Sequence, residues 1–289
     1  ISPLTPVSAP SVAFVSIKPF SSDQTQGGAL VVIHDVTEQR KSEQSRREFV
    51  ANVSHELRTP LTNIKSYAET IVSAGDELPR ELHDNFMGVI INEADRMTRI
   101  VQDLLTLSKI DYGKMEMNIS RFPFLKAVQN VYDAAKLNAE QNHHHTMTLT
   151  CDGPSPDVNG DRERIEQVVT NIVSNAVKYT PDGGKIEIHV GKSGKNVYVR
   201  VSDNGIGIPE KDRERIFDRF YRVDKARSRE SGGTGLGLSI AREIVQRHHG
   251  TISLVPHEGP GTTVRLELPI TQPAPGAPED TAENTSAQQ

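Results

Sequence analysis

The chain has 289 residues, of which 35% are hydrophobic and 25% are charged. This length is enough for two domains of ordinary size with connecting segments. The formal net charge of −5 provides no basic surface field, so we do not expect nucleic acid as a partner. Because Cys151 is the single cysteine, a disulfide within the chain is excluded. The sequence contains no apolar run of the roughly 20 residues that a membrane-spanning helix needs.

Two β-strands are predicted at the start of the chain. The partly alternating stretch 11–17 and the apolar run 28–33, typical of a buried strand, are separated by a polar segment that ends in glycine. Two strands alone do not form a stable core. Residues 1–37 resemble the C-terminal end of a PAS sensor domain, with the rest of that domain preceding Ile1; a hairpin that packs elsewhere is the alternative.

A charged helical connector is predicted next, because residues 38–48 contain no large apolar side chain. A helix that is polar all round commonly bridges two domains. The connector runs directly into an amphipathic helix, so we expect the two to be continuous.

The amphipathic helix carries one apolar stripe, whose members are three or four residues apart: Val50, Val53, Leu57, Leu61, Ile64, Ala68 and Ile71. At about 100° per residue, His55 points away from this stripe. Glu56 lies beside His55 and nearer to the stripe, and Thr59 shares the exposed face with His55. Pro60 has no N–H for the carbonyl of Glu56, so we predict a kink next to the histidine. A zinc-protease helix requires His-Glu-x-x-His, and Thr59 stands at the fifth position, so that kind of metal site is excluded.

A second amphipathic helix follows a break near Gly75, and its apolar positions are Leu82, Phe86, Val89, Ile90, Ala94, Met97, Ile100, Leu104 and Leu107. Two such helices form an αα-hairpin whose apolar surface is only half covered. Pairing two copies in a four-helix bundle covers that surface, so we predict a homodimer through residues 45–110. Residues 111–114 break the pattern, and a hinge linker is predicted over 111–120.

Alternating strands and helices are predicted from this linker to residue 270, which indicates a mixed α/β domain in layers. The predicted strands are 115–119, 147–151, 185–190, 196–202, 251–255 and 262–268, and the predicted helices are 125–140, 161–178 and 239–247. Residues 271–289 are rich in Pro, Ala, Glu and Gln and are predicted to be disordered.

Four clusters in this domain have the composition of a nucleotide site. In the first, Asn171, Asn175 and Lys178 share one helix face; amide oxygens suit Mg²⁺, and an ammonium suits phosphate. In the second, Asp203 follows a strand, and a carboxylate there can accept a hydrogen bond from an amino group such as that of adenine. The glycines that follow Asp203 let the backbone approach a ligand closely.

The other two clusters have groups suited to phosphate. The third, 216–222, is rich in aromatic side chains and ends at Arg222, whose guanidinium is a candidate phosphate ligand. The fourth, 232–238, is rich in glycine and opens a helix. Free amides at a helix N-terminus bind phosphate well, and glycines permit its close approach.

Other nucleotide-binding motifs are excluded by particular residues. A P-loop needs glycine where Ile186 stands, and a Rossmann motif that starts at Gly233 needs glycine where Leu238 stands. The catalytic-loop and DFG signatures of protein kinases are absent from the sequence.

Two runs of histidine, 143–145 and 248–249, have ligands suited to a metal ion. Both stand at predicted helix ends, so we predict that their side chains are solvated. A metal site at either run is the alternative.

The run from His55 to Leu61, His-Glu-Leu-Arg-Thr-Pro-Leu, resembles the phosphoacceptor box of the sensor histidine kinases. The four clusters resemble, in the same order, the N, G1, F and G2 boxes of the histidine-kinase ATP domain. That domain is an α/β sandwich of the Bergerat type, shared with Hsp90 and gyrase. The resemblance covers residues 45–270 and, with the PAS-like segment, is greatest to the WalK/VicK and PhoR type. It implies a dimerisation and phosphotransfer domain at 49–110 and a catalytic ATP-binding domain at 121–270.

This resemblance implies a kinase that uses ATP and Mg²⁺, phosphorylates itself on His55 and passes the phosphoryl group to an aspartate of a response regulator. Glu56 would fix the tautomer of His55, and Thr59 would orient the water that dephosphorylates the regulator. The nucleotide-binding positions that the resemblance implies are Asn171, Asn175, Lys178, Tyr179, Asp203, Gly205, Gly207, Arg222, Gly233, Thr234, Gly235, Leu236 and Gly237, with Mg²⁺ held by Asn175. A mobile lid is implied at 223–233.

The resemblance further implies a cytoplasmic fragment of a protein held at the cell membrane by an anchor before Ile1, with residues 38–48 carrying a signal between domains. Two other classes stay open. A clamp ATPase of the Hsp90 or gyrase kind would share the nucleotide boxes but has no need of the His55 helix. A non-enzymatic dimeric scaffold would need a broken nucleotide site, and every motif position that can be checked is filled.

Overall fold

The computed structural model describes residues 12–22, 25–223, 233–257 and 259–271. The chain divides into two compact units, Ile1–Ala94 and Asp95–Gln289. The predicted tail from residue 272 onward and most of the predicted lid lie outside the described residues. Within these described ranges, no helix has both the length and the apolar character needed to cross a membrane.

The first unit begins with an antiparallel hairpin of β1 (Ala13–Ser22) and β2 (Thr25–Asp35). Both predicted strands are confirmed, and both are longer than predicted. Four apolar side chains of the hairpin are each more than half exposed: Phe14, Ile17, Leu30 and Ile33. The prediction that 28–33 is a buried strand is therefore wrong for this chain, because no other described element covers the two-stranded ribbon.

A single helix, α1 (Thr37–Ala74), contains both the predicted connector and the predicted His55 helix. It continues past Pro60, whose ring is buried, so the proline does not end the helix. Gly75 ends it, with a positive φ of 51° and an N–H that donates to the carbonyl of Ile71. The predicted continuity and the predicted break near Gly75 are both confirmed.

The helix α2 (Arg80–Asp111) completes the αα-hairpin after a short 3-10 turn. The rings of Tyr67 and Phe86 have centroids 5.1 Å apart, and the Asn63 amide donates to a Glu93 carboxylate oxygen over 2.7 Å. The hairpin leaves the following apolar side chains at least 40% exposed: Val50, Leu61, Val72, Leu82, Met87 and Ile91. One hairpin therefore covers its apolar surface only in part, as predicted, and homodimerisation stays a prediction.

The described part of the second unit is a mixed α/β domain. Its strands are β3 (Ser120–Pro123), β4 (Thr146–Cys151), β5 (Asp157–Gly160), β6 (Lys185–Ser193), β7 (Asn196–Asp203), β8 (Thr251–Leu254) and β9 (Thr262–Pro269). Its helices are α3 (Phe124–His143), α4 (Arg162–Tyr179) and α5 (Gly237–Arg247), with a 3-10 turn at Glu210–Asp212. Five strands form one sheet in the order β4-β6-β7-β9-β8, in which only β4 and β6 are parallel. β3 and β5 pair separately and antiparallel.

One face of the five-stranded sheet is apolar and packs against the helices. Ile186, Ile188 and Val199 are fully buried, whereas Glu187 and Arg200, which point to the other face, are exposed. The apolar side of α4 is likewise buried, through Ile165, Val168, Val169, Ile172, Val173, Ala176 and Val177. The α/β class is therefore confirmed, and the polar side of α4 is not used in packing the core.

The predicted strand at 115–119 is wrong. These residues form no strand, and β3 begins at Ser120. The alternation Met-Glu-Met-Asn-Ile imitates a strand, but the backbone N–H of Asn118 donates to the Asp161 carboxylate over 2.9 Å instead of to a neighbouring strand. Regular structure is thus absent only from 112–119 within the predicted linker 111–120.

The prediction that both histidine runs are solvated is wrong for His145 and His248. His145 is 2% exposed, and its Nε2 lies 3.2 Å from the Thr180 carbonyl oxygen. His248 is fully buried; its Nδ1 donates to the Ile244 carbonyl, and its Nε2 accepts from the Asp161 N–H over 2.9 Å. The described residues contain no group of three His, Cys, Asp or Glu side chains that would hold a metal ion.

His248 makes the stability of the second unit depend on pH. Burial lowers the pKa of the His248 imidazole, and protonation would also set a ring N–H against the Asp161 N–H. Because the folded-state pKa lies below the ordinary 6.5, the unfolded chain takes up the proton first as the pH falls. We therefore expect the free energy of unfolding to decrease as the pH is lowered below about 6.5 toward the folded-state pKa.

Urea unfolding of the second unit at about pH 7.5 and about pH 5.5 measures this effect. His248→Gln should cost about 1–3 kcal/mol at the higher pH, since a glutamine amide does not reproduce both the acceptor for the Asp161 N–H and the donor to the Ile244 carbonyl in their positions on the ring, and should lose part of the pH dependence. His249→Asn, which changes the exposed neighbour, is the matched control. A pH dependence equally large in His248→Gln and wild type would contradict the prediction.

Candidate functional site

His55 lies on the exposed side of α1. Its side chain is exposed, that of Glu56 is half-buried, and Val53 and Leu57 in the same turns are half-buried. The Thr59 hydroxyl, one turn later and also exposed, donates to the His55 carbonyl oxygen over 3.3 Å. The imidazole is therefore accessible from solvent in the single chain, as the helical spacing predicts.

A cavity of about 840 Å³ lies within the second unit. Its walls are formed by α4, one side of α3, the end of β7, the segments 206–208, 221–223, 233–235 and 237–238, and the last turns of α2. This volume is in the range of pockets that hold small molecules. The cavity is the place where the structure brings most of the predicted nucleotide-binding residues together.

The cavity wall includes all but two of the predicted nucleotide-binding positions. Those that line it are Asn171, Asn175, Lys178, Tyr179, Asp203, Gly207, Arg222, Gly233, Thr234, Gly235 and Gly237. Leu236 is fully buried, and its carbonyl accepts the N–H of Ile240 in the first turn of α5. Gly205 supports the cavity indirectly, through the turn that holds Asp203.

Asp203 is a carboxylate held in place at the end of β7. It is 8% exposed, and its Oδ1 accepts the backbone N–H of Gly205 over 2.9 Å. Burial raises the pKa of the Asp203 carboxyl, while the N–H groups of Gly205 and Thr262 act in the opposite direction. A side chain at position 205 would place its Cβ 2.4 Å from the Tyr179 carbonyl oxygen, so glycine is required there.

A group of cations lines another part of the cavity. The Lys178 ammonium lies 4.9 Å from the centroid of the Tyr179 ring. Burial lowers the pKa of Lys178, and the positive charges of Arg222 and Arg96 act in the same direction. The Arg222 guanidinium also donates to the Gly233 carbonyl. Several cations drawn together in a partly buried site favour an anionic ligand.

The two asparagines of α4 have different surroundings. The Asn171 amide donates to the Gly237 carbonyl over 2.9 Å and so ties α4 to the start of α5. Asn175, one turn later, lines the cavity, and among the described residues its amide has no hydrogen-bond partner. An amide oxygen available at the cavity wall fits a hard cation such as Mg²⁺, which accepts oxygen ligands.

Three cavity residues come from α2 and were not predicted: Arg99, Gln102 and Asp103. The Thr234 hydroxyl donates to Asp103 Oδ2 over 2.9 Å, across a sequence separation of 131 residues. No pattern in the sequence identifies such a long-range contact, because Asp103 has the spacing of an ordinary polar position on an amphipathic helix.

Two family models match the chain. The model of the His Kinase A (phospho-acceptor) domain matches residues 45–113. The model of the histidine kinase-, DNA gyrase B-, and HSP90-like ATPases matches residues 160–272. The first match contains His55, and the second contains every predicted nucleotide-binding position.

Curated relatives are longer than this chain. The sensor histidine kinase WalK of Bacillus subtilis (strain 168) is 47% identical over 246 residues, which are 84% of this chain and 39% of that protein. The sensor protein kinase WalK of Staphylococcus aureus is 42% identical over 246 residues, which are 84% of this chain and 58% of that protein. The chain thus spans less than two thirds of either relative.

Solved structures support the same assignment. The histidine kinase ThkA in complex with the response regulator protein TrrA is 29% identical, with a TM-score of 0.64 over 89% of this chain and 75% of that chain. The Acinetobacter baumannii histidine kinase AdeS is 26% identical, with a TM-score of 0.60 over 75% of this chain and 98% of that chain. With both domains matched in order and 47% identity to a WalK protein, the chain belongs to the sensor histidine kinase family.

Proposed function

We propose that this chain is the cytoplasmic catalytic portion of a sensor histidine kinase, in which His55 receives the γ-phosphoryl group of ATP. The observation that carries the proposal is one chain with both an exposed imidazole in a phosphoacceptor domain and a cavity that contains a fixed carboxylate and several cations. We further propose the division predicted above, with phosphotransfer at 49–110 and ATP binding at 121–270, and a membrane anchor outside the chain.

The chemistry at His55 is displacement at phosphorus. An imidazole near neutral pH offers one ring nitrogen with a free lone pair. That nitrogen forms the N–P bond while the bond from the γ-phosphorus to its bridging oxygen breaks, and the electron pair leaves on ADP. Glu56 holds the other ring N–H, fixes the tautomer and stabilises the developing positive charge. Positioning supplies most of the remaining rate enhancement.

Different cavity residues are proposed to bind different parts of the nucleotide. Asp203 accepts the adenine amino group, because its carboxylate is already fixed by the Gly205 N–H. Lys178 and Arg222 bind phosphate oxygens. Asn175 would hold Mg²⁺ through its amide oxygen, and a bound Mg²⁺ would neutralise part of the phosphate charge.

The proposed acceptor of the phosphoryl group is an aspartate in the receiver domain of a response regulator. A phosphoryl group on imidazole nitrogen is labile, and the ThkA relative was solved with a response regulator, which supports this class of partner. Thr59, exposed one turn from His55, is the proposed residue that orients water to dephosphorylate the regulator. Homodimerisation is proposed from the exposed apolar side chains of the α1–α2 hairpin.

The second candidate is a clamp ATPase of the Hsp90 or gyrase kind, which the shared ATPase model permits. It has no need of a phosphoacceptor histidine. ATP hydrolysis without a phosphorylated protein would favour that candidate.

The first test replaces the proposed acceptor. With γ-labelled ATP and Mg²⁺, we expect the wild-type chain to acquire an acid-labile label and His55→Gln to acquire none, since glutamine has no ring nitrogen to phosphorylate. His83→Gln, on the same hairpin, is the matched control and should be labelled normally. Unchanged labelling of His55→Gln would refute the assignment.

The second test weakens the adenine contact. Asp203→Asn exchanges a charged acceptor for a neutral amide, so we expect the affinity for ATP and for ADP to fall by roughly 10- to 100-fold. Isothermal titration calorimetry measures it, and circular dichroism checks that the variant is folded. Asp182→Asn, at an exposed carboxylate outside the cavity, should bind like wild type. Equal affinities in Asp203→Asn and wild type would exclude the adenine role.

The third test separates the two proposed activities. Thr59→Ala should dephosphorylate a cognate regulator at least about 10-fold more slowly, because the water loses its orienting hydroxyl, while autophosphorylation is retained. Thr62→Ala removes an exposed hydroxyl from the next turn and should change neither activity. Retention of full phosphatase activity in Thr59→Ala would show that this threonine does not orient the water.

A further inference from the structure

The last turns of α2, which belong to the second unit, are anchored to the rest of that unit at several points. Arg219 donates to both carboxylate oxygens of Asp111, over 2.7 and 2.5 Å, and Arg247 donates to the Ile110 carbonyl over 2.8 Å. Ile100 and Leu107 are fully buried. This part of α2 is therefore held firmly where its polar side forms one wall of the cavity.

Asp103 brings a negative charge into that wall. Its Oδ2 accepts the Thr234 hydroxyl over 2.9 Å. Thr234 lies between Gly233 and Gly235, just before α5, in the glycine-rich segment 233–237. This segment is predicted to line the triphosphate, and it is called the phosphate loop below. In the part of the chain that the structure describes, only Asp103 and Asp203 contribute carboxylates to the cavity. Asp203 has a proposed role as the acceptor for the adenine amino group, whereas Asp103 has no role in the nucleotide site as proposed so far.

The partial burial of Asp103 strengthens the electrostatic interactions of its carboxylate. The side chain is partly buried, and loss of water raises the pKa of its carboxyl, while Arg99 acts in the opposite direction. A partly buried carboxylate is less screened by solvent than a fully exposed one, so it interacts more strongly with other charges. Its neighbour in the filled cavity would be a polyphosphate of the same sign.

We propose that Asp103 makes occupation of the cavity by a triphosphate and docking of the last turns of α2 oppose each other. When α2 is docked, the carboxylate stands at the phosphate loop and disfavours ATP more than ADP, since ATP carries more negative charge. By linkage, bound ATP disfavours the docked helix by the same free energy. Asp103 is thus a positioning residue that adjusts nucleotide affinity through charge.

This inference rests on the proposed nucleotide site, and a charge series tests it. Affinities for adenosine, ADP and ATP are measured by calorimetry at constant Mg²⁺ for wild type and Asp103→Asn, which keeps a hydrogen-bonding side chain but removes the charge. We expect the affinity for ATP to rise by about 10-fold, the affinity for ADP to rise less, and the affinity for adenosine to stay unchanged.

Two control variants separate the charge from other causes. Asp95→Asn removes an exposed carboxylate from the same helix and should leave all three affinities unchanged. Asp111→Asn loosens the anchor to Arg219 without touching the cavity. If Asp111→Asn raised the affinities for all three ligands by the same factor as Asp103→Asn raises the affinity for ATP, loosening of the helix rather than the Asp103 charge would be the cause, and the proposal would fail.

The remaining outcomes also decide the matter. Weaker ATP binding by Asp103→Asn would make the carboxylate a ligand of the metal or of the nucleotide, which overturns the proposal. A shift of the same size for adenosine and ATP would reduce Asp103 to a structural hydrogen-bond partner. Failure of wild type to bind any of the three ligands would instead reject the nucleotide site itself, a result that differs from all of these.

Discussion

The buried carboxylate of Asp203 is the constraint on which the candidate nucleotide site depends. A carboxylate with so little access to water remains ionised only if hydrogen-bond donors compensate, and the Gly205 N–H does so over 2.9 Å. The backbone around it has no room for side chains. A Cβ at Gly205 would lie 2.4 Å from the Tyr179 carbonyl oxygen, and one at Gly261 would lie 1.9 Å from the Asp203 carbonyl oxygen. The end of α4, the end of β7 and the start of β9 therefore hold one another in place around a single acceptor.

The helix α4 serves two purposes because its two sides differ. One side buries seven apolar residues against the rest of the domain, whereas the other presents Asn175 and Lys178 to the cavity. The Asn171 amide, bonded to the Gly237 carbonyl, joins this polar side to the start of α5. Core packing thus fixes the orientation of the helix, and that orientation delivers the amide and the ammonium to the same cavity.

The connection between α2 and β3 is less free than a linker of polar residues suggests. Asp111 is paired with Arg219 at its start, Met115 is 5% exposed, and the Asn118 N–H is bonded to Asp161 near its end. If this segment acts as a hinge, as the resemblance to sensor kinases implies, the motion must break the pair between Asp111 and Arg219. The charge of Asp103, beside the proposed phosphate-binding loop, offers one means by which a nucleotide would assist that release.

Periodicity and local chemistry in the sequence were sufficient for the helical hairpin, the exposed position of His55 and all five strands of the large sheet, because each depends on residues close together along the chain; the short pair β3 and β5 was missed. The burial of His145 and His248 was missed, since a helix-end histidine looks the same whether or not a distant carbonyl or N–H meets it. The strand predicted at 115–119 was wrong for the same reason, because the Asn118 N–H donates to the carboxylate of Asp161, which is distant along the chain. Likewise, only the tertiary structure brings Asp103 to Thr234, because a contact across 131 residues is decided by how whole elements pack and leaves no mark on local spacing.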